Sequence, residues 1–567
     1  MKSIVYKLSA FALASVTFAA CDDFLSTMPD NRTELDTEEK LQSLLVSAYP
    51  THDPMLFGEY MSDNSDDTGE NNPNTERFMD QVYNWEDVTE TDNSDPESYW
   101  NDLNMCIETA NTALAAIEEA GNPAKYDAIR AEALLCRAYA HFMLVNYFAL
   151  NYDKNDSKSL GVALITKPET ALNPKYERAT VQEVYAAIQS DIEEALPRVS
   201  DSYYTVPKYH FTQAAANAFA TRFYLFSEQW DKAIKCANVV LGSNPTSMLR
   251  DWKAMASMTS TFEAISQHYI SANVPANLLL LTSYSSAGLC FGPYYYGKRY
   301  AHAAYLGENE TVNALASLWG GAFDTYYFQI KRYAGTNLNM WSKWSMPYLF
   351  EYTDPVAGIG YRHSVYNAFT GDEVLLSRAE AYIMKGLKDP AYLDLAAADL
   401  TTWMQNVSRT ASNKQLTPAS IQAFMNKFAY SYDKVEGDKI VQNSALTSSI
   451  KKHLHPKFEI GEEGSEQESM LQLVLAMRRH EFLHEGKRWL DIKRYGIVIP
   501  RRLLGADGKP SKITDWLTVD DPRRAIQIPQ KAIDAGFTPN PRGNNGGQGR
   551  VCKPDVEEVE SSALLKE

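Results

Sequence analysis

Between Arg478 and Tyr495 the chain reads Arg-Arg-His-Glu-Phe-Leu-His-Glu-Gly-Lys-Arg-Trp-Leu-Asp-Ile-Lys-Arg-Tyr, with charged and large apolar side chains interleaved. As a helix, this run places Leu475, Phe482 and Trp489 on one inward stripe, seven residues apart. Beside the stripe stand opposite charges at helical neighbour spacings: Arg478 with Glu481, Glu485 with Arg488, Arg488 with Asp491, Asp491 with Arg494, and Lys487 with Asp491. Exposed pairs of this kind contribute only tenths of a kcal/mol, so their number predicts a partly buried network that fixes geometry.

The same run contains His480-Glu481-x-x-His484, the pattern in which two imidazoles one helical turn apart hold zinc and the Glu polarises its water. A catalytic zinc needs a third protein ligand. Lys487 occupies the glycine position of the longer motif, and Trp489 to Asp491 contain no histidine. No Glu falls where the other zincin class places its third ligand, and Asp491 on the same helix points awkwardly. A zinc hydrolase is therefore the remote alternative, and no nucleophile elbow, P-loop or dinucleotide fingerprint offers another chemistry. The chain is expected not to be an enzyme and to need no cofactor or metal.

At the other end, Lys2 and Lys7 precede an apolar run from Leu8 to Ala20, too short to span a bilayer and ordered like a secretory signal, residues 1–20. Phe18-Ala19-Ala20-Cys21 resembles a bacterial lipobox, which makes Cys21 the expected lipidation site and residues 21–36 a tether. Asp22-Asp23 resembles the export signal of surface lipoproteins of Bacteroidetes. The other cysteines, Cys106, Cys136, Cys236, Cys290 and Cys552, are odd in number and contain no C-x-x-C pair, so neither a disulfide framework nor a zinc knuckle is predicted. A net charge of −18 without a long basic run argues against nucleic acid as a partner.

Helical signals dominate the middle of the chain. Amphipathic pairs are predicted at about 100–150, broken at Gly121-Asn122-Pro123, and at 181–245, 373–409 and 470–496. Tyr224, Trp230, Ala233 and Pro245 fall at offsets like those of the about 34-residue tetratricopeptide unit. Unrelated helical hairpins are the alternative.

Two stretches break this pattern, about 50–99 and 250–371. The first, from Ser62 to Asp95, is rich in Asp, Asn, Thr and Gly and is expected to be a loop laid over something else. Asp63-x-Ser65-x-Asp67-x-Gly69 within it superficially resembles a calcium loop, but its glycine is one place late and no Glu closes it. The second is crowded with Tyr and Trp between turn residues, with one clear helix near 312–318. Long non-periodic insertions in a helical scaffold are usually functional, and flat rings with polar tips suit sugar faces or peptides.

Several of these pieces, in this order, resemble the SusD/RagB-like nutrient-binding lipoproteins of Bacteroidetes. They are Cys21-Asp-Asp-Phe-Leu25, Arg130-Ala-Glu-Ala-Leu134 leading into Ala138-Tyr139, Glu373 through Tyr382, the Arg478–Arg494 signature, and the Ile528-Pro529 segment. The resemblance implies an all-α body of tetratricopeptide-like repeats with a large irregular aromatic-rich insertion, forming one domain over 37–542 with a poorly ordered tail at 543–567. It further implies anchoring in the outer membrane through Cys21, facing outward, beside a SusC-like TonB-dependent transporter. The implied activity is non-catalytic capture and delivery of an oligosaccharide, with peptides, or proteins bound by a repeat scaffold, as alternatives. Candidate ligand contacts are Asp66, Asn71 and Trp85 from the first irregular stretch and Tyr294, Tyr296, Trp319, Tyr327, Trp341 and Trp344 from the second.

Overall fold

The computed structural model describes residues 35–171, 174–292, 297–328, 330–334, 339–343, 345–431, 435–436, 439–440 and 448–542. The expected signal and lipidation site Cys21, most of the tether, and the expected tail at 543–567 lie outside the described residues.

The protein is mainly helical. After a short helix α1 (Met55–Met61), the scaffold consists of α2 (Pro96–Glu119), α3 (Asp127–Phe148), α4 (Val181–Ala195), α5 (Gln213–Phe226), α6 (Trp230–Leu241), α7 (Gly371–Gly386), α8 (Ala391–Val407), α9 (Pro418–Met425), α10 (Glu466–Glu481) and α11 (Arg488–Arg494). Caps explain many of the boundaries. Asp95 accepts a hydrogen bond from the Ser98 amide at the start of α2, Thr180 and Glu183 form a reciprocal capping box on α4, and Thr370 and Ser465 cap α7 and α10. The α2–α3 turn passes through left-handed Gly121 and Asn122 before Pro123.

Helix α3 packs between α2 and α4, and α5, α6, α7 and α8 follow one against the next, with α10 laid on α7. Ala131, Ala133, Ala138 and Ala140 of α3 are fully buried, and their small side chains let helix axes approach closely. Cys106, Cys136, Cys236 and Cys290 are buried free thiols, acting as small apolar side chains.

The region 250–371 holds more regular structure than expected. The apolar run Leu278–Leu281 lies in strand β2 (Asn277–Tyr284), which pairs antiparallel with β7 (Ile359–Thr370), itself paired with β6 (Leu349–Asp354). Four consecutive leucines have no alternation to mark a strand, because both faces of β2 are covered. Strands β4 (Ile330–Ala334) and β5 (Asn339–Lys343) form a separate hairpin. A further sheet joins distant parts of the chain: β8 (Ile499–Leu504) pairs with β9 (Pro510–Leu517), and β1 (Asp66–Asp67) lies between β8 and β3 (Tyr300–Ala301).

The stretch from Ser62 is a surface loop only in part, about 68–76 and 86–93. Ser62, Asn64, Ser65 and Asp66 are buried, and a helix runs from Arg77 to Tyr83. Local composition misleads here because arginines from the far end of the chain satisfy the polar groups. Arg501 donates to the carbonyls of Tyr60, Met61 and Ser62, closing the C-terminal end of α1, while its guanidinium lies between the rings of Tyr83 and Trp85.

The predicted continuous helix over Arg478–Tyr495 is also two helices. It ends at Glu481, passes through left-handed His484 (φ 67°) and Gly486 (φ 72°), and restarts at Arg488. The break redirects the predicted ladder. Arg478 pairs with Asp491 across the turn at 3.0 Å, while Arg488 reaches Asp63, Glu485 reaches Lys343 and Arg494 reaches Glu380. The carboxylates and guanidiniums involved are almost wholly buried, so the network is tertiary and more deeply buried than helical spacing predicts.

Candidate functional site

The break in the signature also dissolves the histidine motif. His480 ends a helix, stacked on Tyr326 at 4.4 Å and against Phe328 at 4.7 Å. His484, past the helix end, stacks on Phe291 at 4.7 Å, and the Glu481 carboxylate accepts a hydrogen bond from the Trp403 indole at 2.8 Å. Two imidazoles one turn apart need one helix, and the left-handed turn removes it. Among the described residues no three His, Cys, Asp or Glu side chains gather as a metal group. The calcium-like run is likewise occupied by arginines: Asp63 by Arg488, Asp66 by Arg502 and Asp67 by Arg299.

Burial, and then Lys343, push the His480 imidazole down to about 3. Its folded-state value lies below the ordinary His value of about 6.5, so the stability it permits is complete above that value and is lost as pH falls toward 3. Relative to the parent chain, a His480→Gln variant is expected to gain about 1.4 kcal/mol per pH unit on acidification from about pH 6 to about pH 4. Urea unfolding of both proteins across that range measures it, and parallel pH curves would contradict it.

The two stretches singled out as ligand-facing come together in space. Asp66 pairs with Ala301 and Asp67 with Tyr300 across the β1–β3 seam. The loop after β1 is then sewn to the other stretch. The Asn72 and Asn74 carboxamides donate to the Gly297 carbonyl at 2.9 and 3.1 Å, and Thr68 donates to the Arg299 carbonyl. Arg299 forks onto Asp67 through two 2.8 Å bonds and stays partly open to solvent, as does the exposed Asn71.

Beneath the seam lies a connected set of buried charges. Asp66 binds Arg502 at 2.7 Å, Arg502 binds Glu310 at 2.8 Å, and Glu310 also meets Lys452 at 2.7 Å and Arg479 at 2.9 Å. Arg479 lies 3.4 Å from Asp63, which Arg488 grips at 2.9 Å. Burial alone would raise Glu310, but Lys452, Arg502 and Arg479 outweigh it and hold its carboxyl well below the ordinary range. The network ties the seam to α10 and α11, so the signature helices set the position of the irregular half.

Contacts continue outward from the seam. The Trp341 amide donates to the His302 carbonyl, next to β3, and the Trp341 ring meets Phe323 edge-on at 5.2 Å. Phe323 is exposed. Trp319 donates to the Thr325 hydroxyl and packs edge-on against Tyr326. Half-buried Tyr327 carries the Arg409 guanidinium 4.6 Å above its ring.

The candidate residues therefore divide. Asn71 and Tyr327 are open to solvent at least in part. Asp66, Trp85, Trp319 and Trp341 are buried, with Trp85 donating to the Met61 carbonyl, so in this conformation their side chains act as supports and present no face to a ligand. Tyr294, Tyr296 and Trp344 lie outside the described residues. Sequence reasoning missed Arg299, Asn72 and Asn74; the Asn72-Pro-Asn74 turn beside Asn71 was the available signal. It also missed the β6–β7 hairpin, where Tyr352, Val356, Ile359 and Tyr361 are exposed around the Asp354–Gly358 turn.

The architecture is a stack of paired helices carrying a less regular half. Residues 23–225 match the SusD-like_3 family model, described as starch-binding and associating with the outer membrane. A SusD superfamily protein of Bacteroides vulgatus matches with a TM-score of 0.59 at 18% identity, over 90% of this chain and 99% of that one. One from Bacteroides thetaiotaomicron gives 0.57 at 18%, over 88% and 98%, and a laminarin binding SusD-like protein gives 0.51 at 17%, over 89% and 99%. Among curated proteins no sequence matches significantly. Over residues 23–225 the chain is similar to this SusD-like family, and its overall fold is that of SusD superfamily proteins.

Proposed function

We propose that the protein is a non-catalytic lipoprotein of the outer membrane that captures an oligosaccharide and passes it to a SusC-type TonB-dependent transporter. The observation that carries this reading is the β1–β3 seam, where the two irregular stretches join on the helical body with Asn71 and Arg299 open to solvent. Carboxamides and a guanidinium suit sugar hydroxyls, and aromatic rings suit the apolar faces of sugar rings. In this reading Asn71, Tyr327, Tyr294, Tyr296 and Trp344 touch the ligand, while Asp66, Trp85, Trp319 and Trp341 hold the surface in place. The family description and the laminarin-binding neighbour support a carbohydrate as the ligand class. No helix among the described residues is long and apolar enough to cross a membrane, which accords with attachment through a lipid on Cys21.

The soluble form lacking Cys21 is expected to bind at least one member of a glycan panel by calorimetry, and Asn71→Ala with Tyr327→Ala to weaken that binding about tenfold, ~1.4 kcal/mol. Binding of peptides alone, or an affinity untouched by the double variant, would contradict the glycan or its site respectively.

A further inference from the structure

Away from the seam, the helical side of the molecule contains a cavity of about 230 Å3 lined by Tyr152, Lys154, Gln182, Tyr185, Ala186, Gln189, Phe223, Ser227 and Gln229. We propose that this cavity binds one neutral sugar ring, at a site separate from the seam.

One aromatic ring is open to it, that of half-exposed Tyr152, which stacks on buried Tyr185 at 4.5 Å with 26° between the planes, with Phe223 buried 5.6 Å beyond. Tyr185 is locked by donating its hydroxyl to Asn146 at 2.9 Å, so the backing of the Tyr152 ring is rigid. Half-exposed Tyr152 has a hydroxyl with no hydrogen bond to another described residue.

The walls are polar and uncharged, apart from one compensated pair. Gln182 donates to the carbonyls of Asp153 and Lys154, and among the described residues no donor reaches its Oε1. Gln229 donates to Gln189 and Ser227, and its Oε1 is likewise unused. Lys154 binds Glu228 at 2.7 Å with one of its three N–H groups, and the carboxylate cancels its charge. Glu228 itself sits in a left-handed conformation (φ 60°), and its second carboxylate oxygen is buried without a partner.

Acceptors at Gln182 and Gln229 match ligand hydroxyl donors, while Lys154 and the Tyr152 hydroxyl match ligand acceptors. Neutral walls disfavour an ion, and carboxamides beside the open face of the Tyr152 ring favour a ring with one apolar face and hydroxyls at its edge. The size fits. An apolar cavity of about 150 Å3 admits benzene, so this half-open one has room for a substituted six-membered ring.

The test uses the soluble chain lacking Cys21 and, as probes, D-glucose, D-mannose, D-galactose and N-acetyl-D-glucosamine, followed by saturation-transfer and 15N NMR. At least one probe is expected to saturate with a Kd of about 1–10 mM, the range of a ligand of about a dozen heavy atoms. Gln182→Met with Gln229→Met is expected to weaken it at least tenfold, as is Tyr152→Ala alone. Parallel titration with maltose and cellobiose separates a free sugar from a glycan end: tighter binding than glucose marks an end, and weaker binding a free monosaccharide. Absence of saturation by all probes, or unchanged affinity in Tyr152→Ala, overturns the proposal. Loss confined to Asn71→Ala would assign the binding to the seam, overturning this site and leaving the reading of the seam intact.

Discussion

Gly486→Ala is expected to destabilise the protein by about 3–5 kcal/mol, read as a lowered urea midpoint with an unchanged slope. Two causes add. Gly486 has φ 72°, where a side chain costs about 1–2 kcal/mol. A Cβ there would also lie 2.4 Å from the Pro54 carbonyl oxygen and 3.0 Å from Met55 Cα. Both obstacles are backbone, so no rotamer change relieves them. The approach is mutual, because a Cβ on Gly58 of α1 would meet the Gly486 carbonyl at 2.7 Å. Gly508 provides the control: its φ is 76°, but nothing lies within 4 Å of the added atom. Gly508→Ala should therefore show only the conformational part, about 1 kcal/mol. Equal losses in the two variants would mean that the contact between α1 and the turn contributes nothing.

Arg479→Met is expected to cost about 3–5 kcal/mol, because it leaves a network of buried acids one cation short. Arg479 donates to Glu310 at 2.9 Å, to the Asn64 side chain at 2.8 Å and to the Asp63 carbonyl at 2.6 Å. Arg502 and Lys452 remain on Glu310 after the change, which holds the loss within that range. The surface pair of Lys232 and Glu193, each almost half exposed, makes the contrast: Lys232→Ala should cost under about 1 kcal/mol. Both are measured by urea unfolding at neutral pH. A loss below about 1 kcal/mol for Arg479→Met would show that water or a rearranged side chain satisfies the network. Because the network reaches Asp66, the same variant should also weaken ligand binding at the seam.

Much of the scaffold was legible in the chain itself. Asp95-Pro96, Thr180 with Glu183, and Gly121-Asn122-Pro123 are local signals, and the helix ends fall where those residues place them. The stripe of Leu475, Phe482 and Trp489 is buried as its spacing predicts, although a turn interrupts it. Strand β2 was hidden because a fully covered strand has the same apolar run as a piece of buried helix. Trp319 and Trp341 read as ligand-facing because composition reports that rings are abundant and says nothing about which way each one points.

What the sequence determined by itself was the helical body and the order of its helices, since caps, breakers and apolar periodicity act over a few residues. Tertiary structure alone decided the partners of the charges and the exposure of the rings. Asp63 and Arg488, or Asp66 and Arg502, lie more than four hundred residues apart along the chain. Burial makes such pairs necessary, and local spacing cannot announce them. The His484–Gly486 turn shows the same division: the glycine was visible, and the close passage of α1 that requires it was not.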